Sequence, residues 1–331
     1  MRFNLEYIQT NAISLFHRFR WNAGKDFKCP HCGSTRISKG TKQHHCNSCN
    51  YTFSDTSNTI FHSTKLPLWK WLVSIYYFLE SPRGISSYTL AKYISVSQPT
   101  AWRILHLLRS NIGTTIQASK EVILDEAYLG CNWHFKPTYK KFRIVKELEA
   151  RIRIENPRWT APLNDVTWKR LNYQAASLDK MIVFGIRDYK ARKLELIHLH
   201  TITQESVLNL LKTRDNGIEH ITTDQSNLYN KLPYHRSICN HKKSQYKSDD
   251  GYSSNPIENH FTHLKRMWHG IYQWFSDKHC QGYLDEFAFR YNHRKMRLED
   301  KFQSLFCLII THFLLIDYLI LLILFIFVTE N

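Results

Sequence analysis

Apolar positions along the chain follow two different periods, and the change between them divides the sequence. Residues 66–112 hold apolar side chains at helical spacing, beginning with LPLWKWLVSIYYFLES, in which Pro67 suits a first helical turn. From residue 121 onward, short apolar runs typical of strands follow one another: EVILDEAYLG, KMIVFGIRDY, KLELIHLHT and EHITTDQSN. A helical segment, Thr203 to Arg214, separates the last two runs. The pattern predicts an α/β domain with one central sheet, preceded by a helical region.

Within the helical region, SSYTLAKYISVSQPTAWRILHLLRS predicts two short helices joined by a tight turn. Ser87 can cap a helix that ends at Tyr93, residues 94–97 form the turn, and Gln98 begins a second helix that reaches Arg109. Such a pair is typical of a helix-turn-helix, although an ordinary helical hairpin fits the same pattern. As a helix-turn-helix, the second helix would expose a DNA-binding face formed by Gln98, Thr100, Arg103 and His106.

Four of the eight cysteines form two pairs with the spacing of a metal site. CPHCGSTRISKGTKQHHCNSC contains one C-x2-C pair at each end, and the two pairs together offer four thiolates to one Zn²⁺. Because four cysteines leave no ligand position open, the zinc is predicted to be structural, and His31, His44 and His45 are expected at the surface. The following YTFSDTSNTIF predicts a short strand of a zinc ribbon. The predicted ligands are Cys29, Cys32, Cys46 and Cys49.

The net charge of the chain limits the classes of function that fit the sequence. The 331 residues include 45 Lys and Arg against 28 Asp and Glu, a net charge of +17. Positive residues that alternate with Trp, Tyr and His favour nucleic-acid binding over a charge that only keeps the protein in solution. The first residues, MRFNLEYIQTNAISLF, lack a continuous apolar stretch, so no signal peptide and a reducing compartment for the cysteines are expected.

Two of the predicted strands are each closed by an aspartate, which is unexpected in a chain this basic. Asp125 follows the run VIL, and Asp224 closes IEHITTD. On neighbouring strands these carboxylates would repel each other unless a cation lay between them, and Mg²⁺ or Mn²⁺ prefers such oxygen ligands. An aspartate that only forms a turn is the alternative at either position. Glu126 is expected on the opposite face from Asp125 if the strand continues.

A third carboxylate is predicted on a later helix, in SSNPIENHFTHLKRMWHGIY. Ser254 or Asn255 can cap this helix, Pro256 suits its first turn, and Glu258 occupies its third position. Lys265 follows two turns later on the same face, where it can contact a phosphate while the glutamate binds metal. A glutamate that only completes the helix cap is the alternative.

Four segments, LDEAYLG, TTDQSNLY, NPIENHFTHLKR and YLDEFAFRYNHR, resemble in order the local motifs of DDE-type bacterial insertion-sequence transposases that carry an N-terminal zinc ribbon. The resemblance covers about residues 25–300 and implies a ribonuclease H-like catalytic domain. It implies that Asp125, Asp224 and Glu258 are the catalytic, Mg²⁺- or Mn²⁺-binding residues. Two such ions would support cleavage and rejoining of DNA phosphodiester bonds at the insertion-sequence ends.

The same resemblance leaves the third ligand open. Some members of the group have an asparagine in place of the final glutamate, so Asn255 is an alternative ligand or a supporting residue. Glu258 is favoured because a carboxylate is the better ligand for a hard cation. Lys265 matches the basic residue that the family places after its triad. The implied partners are double-stranded DNA, both transposon ends and target, and further copies of the chain assembled on that DNA in the bacterial cytoplasm, in association with the nucleoid.

These elements predict four consecutive parts. They are an N-terminal segment with the zinc ribbon at 1–64, a helix-turn-helix-like region at 65–115, the ribonuclease H-like catalytic domain at 116–300 and an apolar tail at 301–331. The tail contains FLLIDYLILLILFIFV, for which a frameshift or fusion is favoured over a membrane anchor, with a core helix or dimer contact as the third option. Residues 142–173 are predicted to be an exposed insertion, either an inert loop or a DNA contact.

Three other functions fit parts of the sequence. A zinc-ribbon DNA-binding regulator would use the N-terminal modules alone and leave the acids without a role. A ribonuclease H-like nuclease would use the same acids without strand transfer. An inactive transposase relic would retain the motifs without activity.

Overall fold

The computed structural model describes residues 4–113, 115–130, 136–155, 157, 180–239, 247–248 and 250–309. The chain divides into two compact units. The first unit holds the described residues of Met1–Thr114, Met267–Trp274 and Asp285–Asn331, and the second holds those of Thr115–Arg266 and Phe275–Leu284.

Helices build most of the first unit. They are α1 (Leu5–Thr10), α2 (Ala12–Trp21), α3 (Leu68–Glu80), α4 (Ser87–Ile94) and α5 (Gln98–Arg109), and residues 298–309 are also helical. All of them contribute to one apolar core. In α3 the buried residues Trp71, Leu72, Ile75, Phe78 and Leu79 recur three to four apart, which places them on one stripe of the helix.

The α4–α5 pair begins one residue away from its predicted cap. The Ser86 hydroxyl, and not that of Ser87, accepts a hydrogen bond from the Thr89 amide at 3.1 Å, so Ser87 is the first helical residue. The chain then turns after Ile94, where Ser95 adopts a left-handed conformation with φ of 50°. Helix α5 begins at Gln98, as the sequence predicted.

A buried ion-pair network lies inside the first unit. Arg109 Nε donates to Glu286 Oε2 at 2.7 Å, and the Tyr272 hydroxyl donates to Glu286 Oε1 at 2.7 Å. Arg290 pairs with the same carboxylate. Burial opposes ionisation of Glu286, but Arg109 and Arg290 outweigh it and lower its pKa. The YLDEFAFRYNHR segment therefore contributes structural charges here.

The zinc-ribbon part of the first unit is a small three-stranded antiparallel sheet. Its strands are β1 (Ile37–Lys39), β2 (His44–Cys46) and β3 (Thr52–Phe53), in that order. The strand predicted in YTFSDTSNTIF is thus limited to two residues. A separate apolar cluster supports the sheet, and it consists of Trp21, Phe27, Cys29, Cys46 and Phe53.

A mixed five-stranded sheet forms the centre of the second unit. Its strands are β4 (Glu121–Leu129), β5 (Met181–Asp188), β6 (Leu194–Leu199), β7 (His220–Asp224) and β8 (His235–Cys239). They are ordered β6-β5-β4-β7-β8. Strand β5 is antiparallel to both β4 and β6, whereas β7 is parallel to β4 and β8 is parallel to β7. The predicted central sheet of an α/β domain is present, and β8 is a strand that the sequence did not predict.

Four further helices follow in the chain. They are α6 (Thr138–Glu155), α7 (Gln204–Lys212), α8 (Asn255–Met267) and α9 (Cys280–Asn292). Of α9, only residues 280–284 belong to the second unit. Thr203 begins α7 with a reciprocal capping box, so the predicted helix starts where expected. Buried Val207 and Leu211 of α7 join the apolar cluster that includes Val122 and Leu124 of β4.

Two predicted regions lie partly outside the described residues. Helix α6 occupies the first half of the predicted insertion, and residues 156 and 158–179 fall outside the description. Of the apolar tail, residues 301–309 are helical and residues 310–331 are not described. Within the described ranges, no helix combines the length and the apolar character that crossing a membrane requires.

Candidate active site

The four predicted zinc ligands converge in the first unit. The Sγ atoms of Cys29 and Cys49 are 3.7 Å apart, those of Cys32 and Cys46 are 3.5 Å apart, and all four lie within 4.8 Å of one another. A tetrahedral zinc with Zn–S bonds of about 2.3 Å has S–S edges of about 3.8 Å. The donor set and its spacing therefore fit one Zn²⁺ with a complete shell of thiolates, which is a structural site.

The three nearby histidines do not share one environment. His31 and His45 are exposed, as expected. His44 is buried instead, with its Nε2 atom 3.2 Å from Asp55 Oδ1 and its ring against Phe27 and Phe53. The expectation of a surface position was wrong for His44, because this ring fills the ribbon's apolar cluster while its nitrogen faces a carboxylate.

Asp125 does not close its strand. Strand β4 continues for four residues beyond it, to Leu129, and pairs with β5 along this whole length. The interpretation of Asp125 as a strand end was therefore wrong: the apolar run ends there, but the alternation of inward and outward side chains goes on. Asp224 does end β7, as predicted.

The sheet register places Asp125 and Asp224 at matching positions. Ile123 of β4 is the parallel partner of Thr222 of β7, and each aspartate follows two residues later. Residues two apart on a strand share a face, and adjacent strands lie about 4.8 Å apart. The two carboxylates consequently emerge from the same face of neighbouring parallel strands.

A glycine beside Asp125 brings helix α8 onto that face. Gly185 of β5 is the direct partner of Asp125, and a Cβ atom at residue 185 would lie 2.9 Å from Ile257 Cδ1 and 2.9 Å from Phe261 Cζ. Real Cβ atoms do not approach other atoms so closely, so a side chain at residue 185 would force the ends of these two buried side chains to shift. Glu258 belongs to the same helix, next to Ile257 in the sequence.

The pKa of Asp125 depends on the charges of the neighbouring acids. Burial, followed by the charges of Glu126, Asp224 and more weakly Glu258, raises the pKa of Asp125 to about 8. Among the described residues, the carboxylates of Asp125, Asp224 and Glu258 are not all within 4.8 Å of one another, unlike the four thiolates. Negative carboxylates repel one another, and this repulsion opposes a closer approach.

Ser254, just before the start of α8, forms two hydrogen bonds with Glu258. The hydroxyl of buried Ser254 donates to Glu258 Oε1 at 2.8 Å, and the Ser254 carbonyl accepts from the Glu258 amide at 3.3 Å. Asn255 is the first helical residue and is exposed, and its amide donates to the Ser253 hydroxyl at 3.2 Å. Lys265 is exposed in the last turn of α8.

Two residues that the sequence did not single out hold the segment after Asp224. Arg236 of β8 donates to the carbonyls of Asp224 at 2.7 Å and Ser226 at 2.9 Å, and also to the Thr223 hydroxyl. The Tyr229 hydroxyl donates to the Glu126 carboxylate. Because Tyr229 belongs to the apolar cluster on the α7 side, Glu126 faces away from α8, as expected for the residue after Asp125.

The predicted DNA-binding face of α5 is only partly exposed. Arg103 is exposed, whereas Gln98, Thr100 and His106 are half-buried. Gln98 Nε2 donates to the Ser87 hydroxyl at 2.8 Å, and the His106 ring lies 3.9 Å from the Trp102 ring. The predicted face is therefore fully exposed at Arg103 and partly exposed at the other three positions, and its contact with DNA stays a prediction.

Comparison with known proteins decides the family. A family model described as an ISXO2-like transposase domain matches residues 117–292, more than half of the chain. The chain belongs to the ISXO2-like transposase family. A transposase zinc-ribbon model matches residues 9–52, which contain all four clustered cysteines. The prediction of a DDE-type insertion-sequence transposase with an N-terminal zinc ribbon is confirmed.

A curated relative points the same way. The uncharacterized protein in transposable element ISH50 of Halobacterium salinarum is 24% identical over 295 residues, which are 85% of this chain and 90% of that protein. The similarity is therefore longer than the transposase domain at residues 117–292. The ISXO2-like transposase domain includes Asp125, Asp224 and Glu258, whose catalytic roles stay a prediction.

Replacing Cys29 with serine should remove the ribbon zinc. A hydroxyl is a much weaker zinc ligand than a thiolate, so elemental analysis of chelator-washed protein should fall from about one zinc per chain to nearly none. Cys307→Ser changes an exposed cysteine outside the cluster and should keep the metal. A Cys29→Ser protein that retains its zinc and its fold would refute the assigned ligand set.

Replacing Gly185 with alanine should displace α8 from the sheet. The added methyl group overpacks the contact with Ile257 and Phe261, at an expected cost of about 1–3 kcal/mol in the free energy of unfolding. Gly113→Ala is a matched control, because a Cβ there meets nothing within 4 Å. Chemical denaturation measures both costs, and the double change Gly185→Ala with Ile257→Val should recover part of the loss. Equal costs at residues 113 and 185 would contradict the close approach.

Proposed function

We propose that this transposase cleaves and rejoins DNA phosphodiester bonds at insertion-sequence ends in a reaction that requires Mg²⁺ or Mn²⁺. The observation that carries the proposal is the juxtaposition around Gly185. Asp125 and Asp224 emerge at matching positions from one face of parallel strands, and Gly185 admits the helix that bears Glu258. Oxygen ligands on rigid elements of this kind suit a hard divalent cation.

The sheet supports the proposal of a ribonuclease H-like catalytic domain. Its central strand β4 carries Asp125, and the parallel neighbour β7 carries Asp224. The remaining parts of the predicted division, a zinc ribbon at 1–64, a helix-turn-helix-like region at 65–115 and a tail at 301–331, complete the proposed organisation. Their bounds follow the changes in sequence pattern.

The chain's own side chains would prepare the reaction by holding negatively charged metal ligands and a positively charged phosphate contact in fixed positions. Asp125, Asp224 and Glu258 would bind the ions, which when present activate the attacking oxygen and stabilise the leaving 3′-oxygen. Arg236 fixes the main chain at Asp224, and Ser254 orients Glu258. Lys265, which is exposed on the same helix as Glu258, would contact a DNA phosphate.

Glu258 is the better candidate than Asn255 for the third ligand. Its charge contributes to the raised pKa of Asp125, so its carboxylate acts on the aspartate site. Asn255 is exposed at the first position of the helix. We assign to Asn255 a supporting role at the start of α8.

Double-stranded DNA is the proposed partner, both as insertion-sequence ends and as target. The net charge of +17 supplies the attraction to phosphates, and the zinc ribbon with the α4–α5 pair would recognise the ends. Arg103 is the exposed cation on α5. Because two ends have to be joined to one target, we propose that copies of the chain assemble into a homo-oligomer on DNA.

Changing either aspartate to asparagine should abolish cleavage and strand transfer. Asp125→Asn and Asp224→Asn each remove one charged ligand, so product formation from labelled end DNA in Mg²⁺ should fall by about a thousandfold or more. Glu258→Gln should have a similar effect. DNA affinity in the absence of cleavage and the ribbon zinc should remain.

Asn255→Ala is the matched control for Glu258→Gln. It changes a neighbouring residue on the same helix and should cost far less activity. If Asn255→Ala is inactive while Glu258→Gln is active, the third ligand has been assigned to the wrong residue. If all of these variants still cleave, the metal-dependent mechanism does not apply.

Replacing Arg103 with alanine should weaken binding to end DNA. Loss of one phosphate contact should lower the slope of log affinity against log salt by about 1. Fluorescence anisotropy over a series of salt concentrations measures this slope. Lys212→Ala removes an exposed cation of α7 in the second unit and should leave the slope unchanged. Equal effects of the two substitutions would argue against DNA contact through α5.

A further inference from the structure

A second group of metal-ligating side chains lies at the edge of the central sheet, outside the acidic site. His198 and His200 follow one another two residues apart at the end of β6, and Asp277 faces both of them from the short 3-10 turn Asp277–His279. All three belong to the second unit. One ligand atom from each of them falls within 4.8 Å of the others.

The distances within this group suit coordination of one ion. His198 Nε2 lies 2.9 Å from Asp277 Oδ1, and His200 Nδ1 lies 3.4 Å from Asp277 Oδ2. Ligand atoms bonded to one ion at about 2.0–2.2 Å are separated by about 2.8–3.6 Å in octahedral or tetrahedral geometry. The observed separations fall in this range.

His198 places a buried nitrogen against the Asp277 carboxylate. Its side chain is only 8% exposed, and its Nε2 atom pairs with Asp277 Oδ1 at 2.9 Å. An ion bound between these two atoms would replace this pair and keep the buried nitrogen satisfied.

The site is open on its other side. The side chains of His200 and Asp277 are 81% and 56% exposed, so water can complete the coordination shell. Two imidazoles and one carboxylate form a donor set of intermediate softness, which favours ions such as Zn²⁺, Ni²⁺ or Co²⁺ over Mg²⁺.

We propose that His198, His200 and Asp277 bind a divalent first-row transition-metal ion with water as the remaining ligand. This ion is distinct from the zinc held by four cysteines and from the Mg²⁺ or Mn²⁺ proposed for the acids. Cross-strand pairing relates His198 to Val183 and Ala127, so it shares the face of Asp125 two strands away. Two strand spacings and a two-residue offset along the strand place the Cα atoms of His198 and Asp125 about 12 Å apart.

The ion would fasten the start of α9 to the edge of the sheet. Gln281 already covers this edge, because its side chain accepts from the His198 amide at 2.8 Å and donates to the Leu196 carbonyl at 2.9 Å. Among the described strands β6 pairs with β5 alone, and exposed edges need such protection. A metal bond between His198 and Asp277 would strengthen the existing 2.9 Å contact between these segments, four residues before Gln281.

Zinc titration of the full-length chain tests the proposal. Protein that retains its ribbon zinc is dialysed against increasing Zn²⁺ in millimolar Mg²⁺, which occupies hard carboxylate sites and competes poorly for imidazole. The parent protein should reach about two zinc ions per chain by elemental analysis. His200→Gln and Asp277→Asn should each weaken the second ion about tenfold or more. Both residues are exposed, so these variants should fold, and circular dichroism checks this.

Two control variants locate the second ion. His62→Gln removes an exposed histidine of the first unit and should keep two zinc ions. Asp125→Asn should also keep them. Co²⁺ provides a second readout, because ligation by thiolates gives strong near-ultraviolet charge-transfer absorption and ligation by imidazole and carboxylate does not.

Three results would overturn the proposal. The parent protein would hold only the ribbon zinc at saturating Zn²⁺, or the His200 and Asp277 variants would bind the second ion as tightly as the parent, or Asp125→Asn would abolish that ion. The last result would place the ion in the acidic site. None of these outcomes depends on DNA cleavage, so failure here and failure of the proposed function remain distinguishable.

Discussion

The concentration of negative charge at one part of the central sheet is the constraint around which the second unit is built. Burial, together with the carboxylates of Glu126, Asp224 and Glu258, raises the pKa of Asp125 to about 8. In a chain with a net charge of +17, no described arginine or lysine forms an ion pair with Asp125 or Asp224 within 4 Å. Grouped carboxylates without such ion pairs suit the divalent ion that we propose for this site.

The surrounding scaffold holds these acids through hydrogen bonds that are not ion pairs with their carboxylates. Arg236 directs its guanidinium to main-chain carbonyls and a hydroxyl around Asp224, so it fixes the position of that residue without pairing with its carboxylate. Ser254 contacts Glu258 through a hydroxyl, and Tyr229 does the same for Glu126. A salt bridge at any of these points would neutralise a ligand, whereas a neutral hydrogen bond orients it and leaves its charge available for metal.

Local sequence patterns predicted most of the strands, one helix and the thiolate cluster of this arrangement. The four predicted strands and the helix at 204–212 are present because apolar runs, turn residues and caps act over a few positions. Paired spacing likewise identified the thiolate cluster. Strand β8 escaped prediction because HRSIC contains three polar residues followed by only two apolar ones, without alternation, and its place depends on pairing with β7. The burial of His44 depends on Asp55 and Phe27, which sequence spacing does not bring together.

The geometry of the candidate active site depends on contacts between segments that are distant in the sequence. Gly185 shows what sequence alone could not predict here and which sequence feature could have indicated it. Its role arises only after β4, β5 and α8 come together, yet a glycine inside an apolar strand already indicates a close approach by another element.

The same long-range assembly separates three donor sets by softness: four thiolates, three carboxylates, and two imidazoles with one carboxylate. Since soft donors select Zn²⁺ and hard donors select Mg²⁺, each set can discriminate among ions in a common solution. Ligand type alone would then keep the structural zinc out of the acidic site, where a tightly bound soft ion would block the exchange of catalytic metal.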